Sequence, residues 1–178
     1  KDADGRDAQF ELTSRGTDES RKLNGRLRMP VDLAQQLALS GGQPVAAGEG
    51  EVQLSFSSGG RSPGAALAAA QGEGAFALEG LRLLGLTPSA FTASLATARD
   101  AAGITAAFAA MRGGAGLDLG AASGAIALTS GEMRFAPVQH SDGDADATVS
   151  AIADLAQGEI DIEVDLSLKA RDSLPKMS

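Results

Sequence analysis

Apolar and polar residues alternate over most of this chain, and helical spacing is confined to a few alanine-rich stretches. The cleanest alternation sits near the C-terminus. Ile160, Ile162, Val164, Leu166 and Leu168 share one face, with Glu159, Asp161, Glu163, Asp165 and Ser167 on the other. Period two predicts a strand with one side buried and one in water. Ala8, Phe10 and Leu12 predict a first strand. The polar stretch 14–20 predicts a turn. Leu23, Leu27 and Met29 then alternate around Gly25, with Lys22, Arg26 and Arg28 opposite. Pro30 is expected to end that strand, because proline cannot donate to a ladder. Val52, Leu54 and Phe56 form the next, residues 145–152 alternate weakly, and 154–158 read as a turn. Hairpin-like spacing favours mostly antiparallel pairing.

Two stretches share a layout. Gly74, Phe76 and Leu78 alternate up to Glu79-Gly80, after which Leu81 and Leu83 resume in shifted phase. Gly124, Ile126 and Leu128 do the same up to Ser130-Gly131, followed by Met133 and Phe135. A glycine at the phase change marks a bulge or a tight reversal. A strand unit repeated with its punctuation points to a repetitive β-scaffold.

Helices interrupt the strands. Leu33 and Leu37 lie one turn apart, which predicts a short helix over 31–39 stopped by Gly41-Gly42 and Pro44. Ser62-Pro63 opens an alanine run that Gly72 can terminate: serine caps, and proline suits the first helical position. Thr87-Pro88 repeats that grammar ahead of Phe91, Leu95 and Ala98, and Ile104, Phe108 and Met111 predict one more helix before a break at Gly113-Gly114-Ala115-Gly116. The expected fold is therefore α+β and β-dominated. It is a mostly antiparallel, curved sheet of long strands, with a few short alanine-rich helices on one face or at the ends. Residues 1–178 read as a single domain, with N-terminal strands and a short helix over 1–44 and the repeated units over 45–178.

Composition narrows the function. The hydrophobic fraction is 43%, but aromatics are only 3%, with no Trp or Tyr, so the core must pack closely through small side chains. The net charge of −8 argues against nucleic acid and against a polybasic dock on anionic lipid. Arg21, Lys22, Arg26 and Arg28 form the densest basic group and read as the solvent face of a strand. The absence of cysteine excludes disulfides, thiolate catalysis and Cys-ligated zinc. No run is long and apolar enough to span a bilayer as a helix. The chain starts at Lys1 without a signal peptide, which reads as a fragment of a longer protein whose targeting or membrane segment lies elsewhere.

No chemistry stands out. The lone His140 reads as an exposed loop residue and lacks the partners of metal or triad chemistry. Asp142, Asp144 and Asp146 are spaced like the start of a calcium loop, but the sixth and twelfth positions are Ala147 and Ala153, so a solvated hairpin turn is expected. Gly48-Glu49-Gly50 and Gly72-Glu73-Gly74 carry no P-loop lysine or dinucleotide fingerprint and read as the lead-in to strands. No catalytic, cofactor-binding or metal-binding residue is nominated, and no enzyme activity is expected.

The order of these units resembles the C-terminal periplasmic region of the AsmA family of Gram-negative envelope proteins. The resemblance covers most of the chain after about residue 45. It rests on strand, Ser-Pro-capped alanine helix, Gly-x-Gly, strand and Glu79-Gly80, and then on Ser130-Gly131 and the turn bearing Asp154, Leu155 and Gly158. Glu-Gly and Ser-Gly stand here in place of the family's Asp-Gly. The resemblance implies a periplasmic location and an inner-membrane anchor outside this chain. It also implies a part in outer-membrane biogenesis, with phospholipid or envelope assembly proteins as partners, and no catalytic residues.

Two arrangements of the sheet follow. If its apolar face is open, acyl chains can lie on it without specific polar contacts. The residues expected on such a groove are Phe76, Leu78, Ile126, Leu128, Ile160, Ile162, Val164 and Leu166. In the other arrangement, expected for most of these positions, the helices at 62–71 and 88–111 cover the face and make an ordinary core. The chain is then a structural or protein-interaction scaffold.

Overall fold

A computed structural model of the chain describes residues 7–17, 20–37, 43–112, 116–141 and 145–169. The alternating segments form one open, curved antiparallel sheet. In chain order its strands are β1 (Gln9–Thr17), β2 (Ser20–Asp32), β3 (Ala46–Gly59), β4 (Gln71–Leu83), β5 (Leu117–Thr129), β6 (Glu132–Ser141), β7 (Ala145–Asp154) and β8 (Glu159–Leu168), and each pairs with the next. Four short helices lie in the connections: α1 (Leu33–Gln36), α2 (Pro63–Ala68), α3 (Pro88–Thr97) and α4 (Ala101–Arg112). Connectivity puts α2, the β5–β6 turn and the β7–β8 turn at one end of the sheet and the other helices at the opposite end.

Several boundaries differ from expectation. The predicted turn over 14–20 is mostly strand: Thr13, Ser14 and Arg15 pair with Asn24, Leu23 and Lys22. Main-chain pairing needs no apolar side chain, so a polar hairpin continues past its last hydrophobic residue. Pro30 does not end β2, where it sits opposite Glu51. The β1–β2 register stops at Arg28, so beyond it β2 has an open side where a residue without an N–H is tolerated. The helix expected over 31–39 shrinks to α1. Val31 is a buried strand residue, and the Asp32 carboxylate accepts from the N–H groups of Ala34 and Gln35, fixing the helix start one residue later. The Gly41-Gly42 stop lies outside the described residues.

The other helix signals hold. Ser62 Oγ accepts from Ala65 N at 3.2 Å with Pro63 at the first helical position, though α2 ends at Ala68 and Gly72 belongs to β4. α3 starts at Pro88, but the Thr87 hydroxyl accepts from Gly116 N at 3.3 Å instead of capping the helix. α3 and α4 pack on each other, with the Phe91 and Phe108 rings 5.1 Å apart and Ala107 fully buried. Residues 113–115 of the predicted break lie outside the described residues.

The two look-alike glycine units resolve differently. Glu79-Gly80 is a bulge inside one continuous strand. Leu78 pairs with Ala122 and Leu81 with Gly120, so β4 carries an extra residue, and Gly80 adopts φ 60°. Ser130-Gly131 is a reversal: both residues have positive φ, 54° and 81°, and Thr129 pairs with Glu132 across them. That is a two-residue hairpin loop of the twist-compatible kind. The expected repeat is therefore a repeat of pattern and not of structure.

Bulges on β4 at Glu79-Gly80 and on β5 near Gly120 lie side by side, and a third interrupts β6 between Phe135 and Val138. Each shifts its strand's apolar phase by one residue, from Phe76 and Leu78 to Leu81 and Leu83, and from Ile126 to Leu119 and Leu117. One face thus stays apolar along the full strand length while the sheet bends. Beyond Ile126, β5 and β6 part company, since their register covers only residues 126–129 and 132–135. The separation lets Ala147 of β7 join a core otherwise built from β3, β4, β5 and Ala70.

Two glycines on the apolar face make room for aromatics. A Cβ on Gly124 would lie 2.8 Å from the Phe76 ring, and one on Gly25 2.3 Å from the Phe56 ring. Phe76 crosses Gly124 to meet Phe135 edge-on at 5.8 Å; Phe56 crosses Gly25 to stack on Phe10 at 6.3 Å. Each Phe–Gly cross-strand pair thereby links three neighbouring strands.

Candidate functional site

All eight residues predicted for the groove fall on the same apolar face. On β4 and β5, Phe76 sits opposite Gly124, Leu78 opposite Ala122, Ile126 opposite Phe135 and Leu128 opposite Met133. On β8, Ile160, Ile162, Val164 and Leu166 sit opposite Ala153, Ala151, Val149 and Ala147. Their environments split. Phe76, Ile126 and Leu128 are buried, at 6%, 2% and 3% exposure, and Leu78, Val164 and Leu166 pack against the same core. Ile160 and Ile162 remain 51% and 36% exposed.

What buries the centre is not the helices expected to do so. Among the described residues, no member of α2, α3 or α4 belongs to the core cluster. α2 rests at the sheet's end, where the Ser58 hydroxyl donates to the Ala66 carbonyl and Gly131 N donates to Ala70 O at 3.3 Å. Leu155 N donates in turn to Gly131 O at 3.0 Å, tying the β7–β8 turn to the β5–β6 turn. The face is covered by the sheet's own curl, with Leu33, Leu37, Leu86 and Leu155 closing its ends. A sheet curled on itself buries the middle and leaves the margins bare. Accordingly Phe10 and Leu12, on the opposite margin, are 58% and 50% exposed. They were legible as strand residues from their alternation, but their membership of the exposed set depends on β1 being an edge.

The polar face is divided by charge. β8 presents Glu159, Asp161, Glu163 and Asp165, all exposed, at one margin. At the other, β2 presents exposed Lys22, Arg26 and Arg28, as the basic group predicted; Arg28 Nε pairs with Glu51 at 2.6 Å. The side chain of Arg21 lies outside the description. Two open depressions of about 680 and 650 Å³ lie on this polar face, the first over β1 to β4 and the second over β4 to β6. Of the eight predicted groove residues only Ile126 borders either.

The remaining candidates are structural. His140 is not a loop residue: it lies half-buried within β6, opposite Ala147. The bulge after Phe135 extends β6 past the residues where the alternation is readable. Asp142 and Asp144 lie outside the described residues. Asp146 accepts from the Ser141 hydroxyl at 2.5 Å and pairs with Lys169 at 2.9 Å, and these partners, the hydroxyl first, hold its carboxyl below the usual aspartate range. Asp118 is lowered chiefly by Arg82, at 3.0 Å. Asp154 is lowered by the N–H groups of Gln157 and Ala156, which donate to it in the predicted turn. The two Gly-Glu-Gly segments lie inside β3 and β4, not ahead of them. Among the described residues, no three His, Cys, Asp or Glu side chains gather as metal ligands would, and no helix is long and apolar enough to cross a membrane.

The chain matches no family model, no curated protein and no solved structure.

Proposed function

We propose that this chain is a non-catalytic, lipid-handling module of the AsmA-like kind, working in the periplasm as part of an inner-membrane-anchored protein and serving outer-membrane biogenesis. The observation that carries this reading is one apolar face crossing all eight strands, left free of α2, α3 and α4 and bare at its margins. Acyl chains need apolar area and no directed polar contacts, and the margin at Ile160 and Ile162 offers that. The buried centre at Phe76, Ile126 and Leu128 favours a second reading, in which the chain is a closed structural or protein-interaction scaffold.

Native mass spectrometry separates the two. Under the lipid reading, the intact chain retains phospholipid added from detergent-free dispersions. An Ile160→Glu/Ile162→Glu variant loses that binding by about tenfold, as expected when buried methylenes are removed from an acyl contact. Uptake of no phospholipid by either protein would leave the scaffold reading standing. Equal uptake by both would place the lipid elsewhere than on the β8 margin.

A further inference from the structure

We propose that the sheet extends between copies of this chain, the free edge of β8 in one copy pairing antiparallel with the free edge of β1 in the next. Among the described residues neither strand has a partner on its outer side. β1 offers nine residues of ladder and β8 ten, and neither contains a proline to block pairing. β8 runs towards the end of the sheet at which β1 begins. A second copy placed beside β8 with its apolar face on the same side therefore continues the up-and-down order without reversal.

Both faces match across that junction. On the apolar side, antiparallel pairing of the full strands brings Val164 and Leu166 beside exposed Leu12 and Phe10, and exposed Ile160 and Ile162 continue the same surface beside Gly16 and Ser14. On the polar side, Glu159, Asp161, Glu163 and Asp165 form a row in which, among the described residues, none has an ion-pair or side-chain hydrogen-bond partner. Across the junction they face Arg15 of β1 and then Lys22, Arg26 and Arg28 of β2, with Glu11 as the one acid of β1. Strands lie about 4.8 Å apart, so the β2 row stands about 10 Å away before side-chain reach is counted. That is about one screening length at physiological salt, which makes the contact salt-sensitive. Joining two different margins gives a heterologous contact, which grows as an open ladder unless its rotation closes. The inference does not rest on lipid binding.

Because the chain has no cysteine, the junction can be read by cross-linking in the absence of lipid. Thr13→Cys and Glu163→Cys each place one thiol on the exposed polar face. With a short bis-maleimide, the mixture yields covalent dimers that neither variant yields alone, and a chain carrying both substitutions, with two thiols, yields covalent ladders. Dimers from one variant alone, as abundant as from the mixture, would overturn the proposal in favour of a symmetric contact or random collision. Sedimentation velocity supplies the second readout. Mass rises with concentration and falls with added salt; Glu163→Lys weakens association about tenfold, and adding Arg26→Glu restores most of it. A monomer at every concentration and salt, with the chain folded, overturns the proposal.

Discussion

Truncating Phe76 to alanine tests whether the centre of the apolar face is core or open surface. The ring is 6% exposed, lies over Gly124 and meets Phe135 edge-on at 5.8 Å. Removing a buried Phe forfeits its transfer free energy and leaves a cavity, together about 3–5 kcal/mol. The bulges on β4, β5 and β6 hold the surrounding strands in register, which limits how far the space can collapse. Of this loss, the aromatic pair accounts for about 0.5–1.5 kcal/mol, which a cycle with Phe135→Ala isolates. Ile160→Ala, on the same face but 51% exposed, serves as the control and costs at most about 1.5 kcal/mol. Urea unfolding monitored by circular dichroism reads both, with the slope against urea unchanged if only stability moves. For a chain of this size, Phe76→Ala lowers Tm by roughly 6–20 °C. A cost below about 1.5 kcal/mol, or one equal to that of Ile160→Ala, would falsify the claim that the sheet's curl covers its own centre.

Two further outcomes follow from local geometry. Gly80→Ala meets open space and carries only the strain of a positive φ, about 1 kcal/mol. Gly131→Ala adds a contact of 2.9 Å to the Leu67 carbonyl oxygen and costs about 2 kcal/mol or more; urea unfolding of the pair gives the order, and its reversal would show that the bulge and the turn are misassigned. The carboxyl of Asp154 is more acidic folded than unfolded, because the N–H groups of Gln157 and Ala156 stabilise its anion. Its contribution is complete above the unfolded value near pH 4 and is lost as pH falls through the lower folded value. Thermal melts between about pH 5 and pH 2 should therefore show a shallower acid-side decline for Asp154→Asn, and an unchanged decline would remove the turn from the acid response.

The architecture was largely legible because each strand carries its own period-two record. β8 is the clearest case, since Ile, Val and Leu alternate with four acids and Ser167 along its length. The helix starts at Ser62-Pro63 and Thr87-Pro88 were legible for a similar reason: the Ser62 cap and the proline at each first helical position act over three or four residues. Pro30 misled because its cost depends on whether a neighbouring strand is present, which is not a local fact. The candidate face was legible as a set of residues, but its split into core and margin was not. Phe76 and Ile160 follow the same alternation and differ only in what lies across from them.

The paired units around Gly80 and Gly131 separate the two kinds of information. Local pattern determined that the apolar phase shifts by one residue at each glycine, because the shift is written in which side chains are apolar. Whether the chain then bulges and runs on or turns back depends on the partners available. Gly80 lies between β3 and β5, which hold β4 straight through the bulge. At Gly131 the bonds to Ala70 and Leu155 close the sheet's end, and the chain reverses. Tertiary structure also decided that the sheet, and not its helices, covers the apolar face. That outcome follows from long-range curvature, to which the adjacent bulges on β4 and β5 and a third on β6 contribute, and curvature of that kind leaves no periodic mark in a sequence.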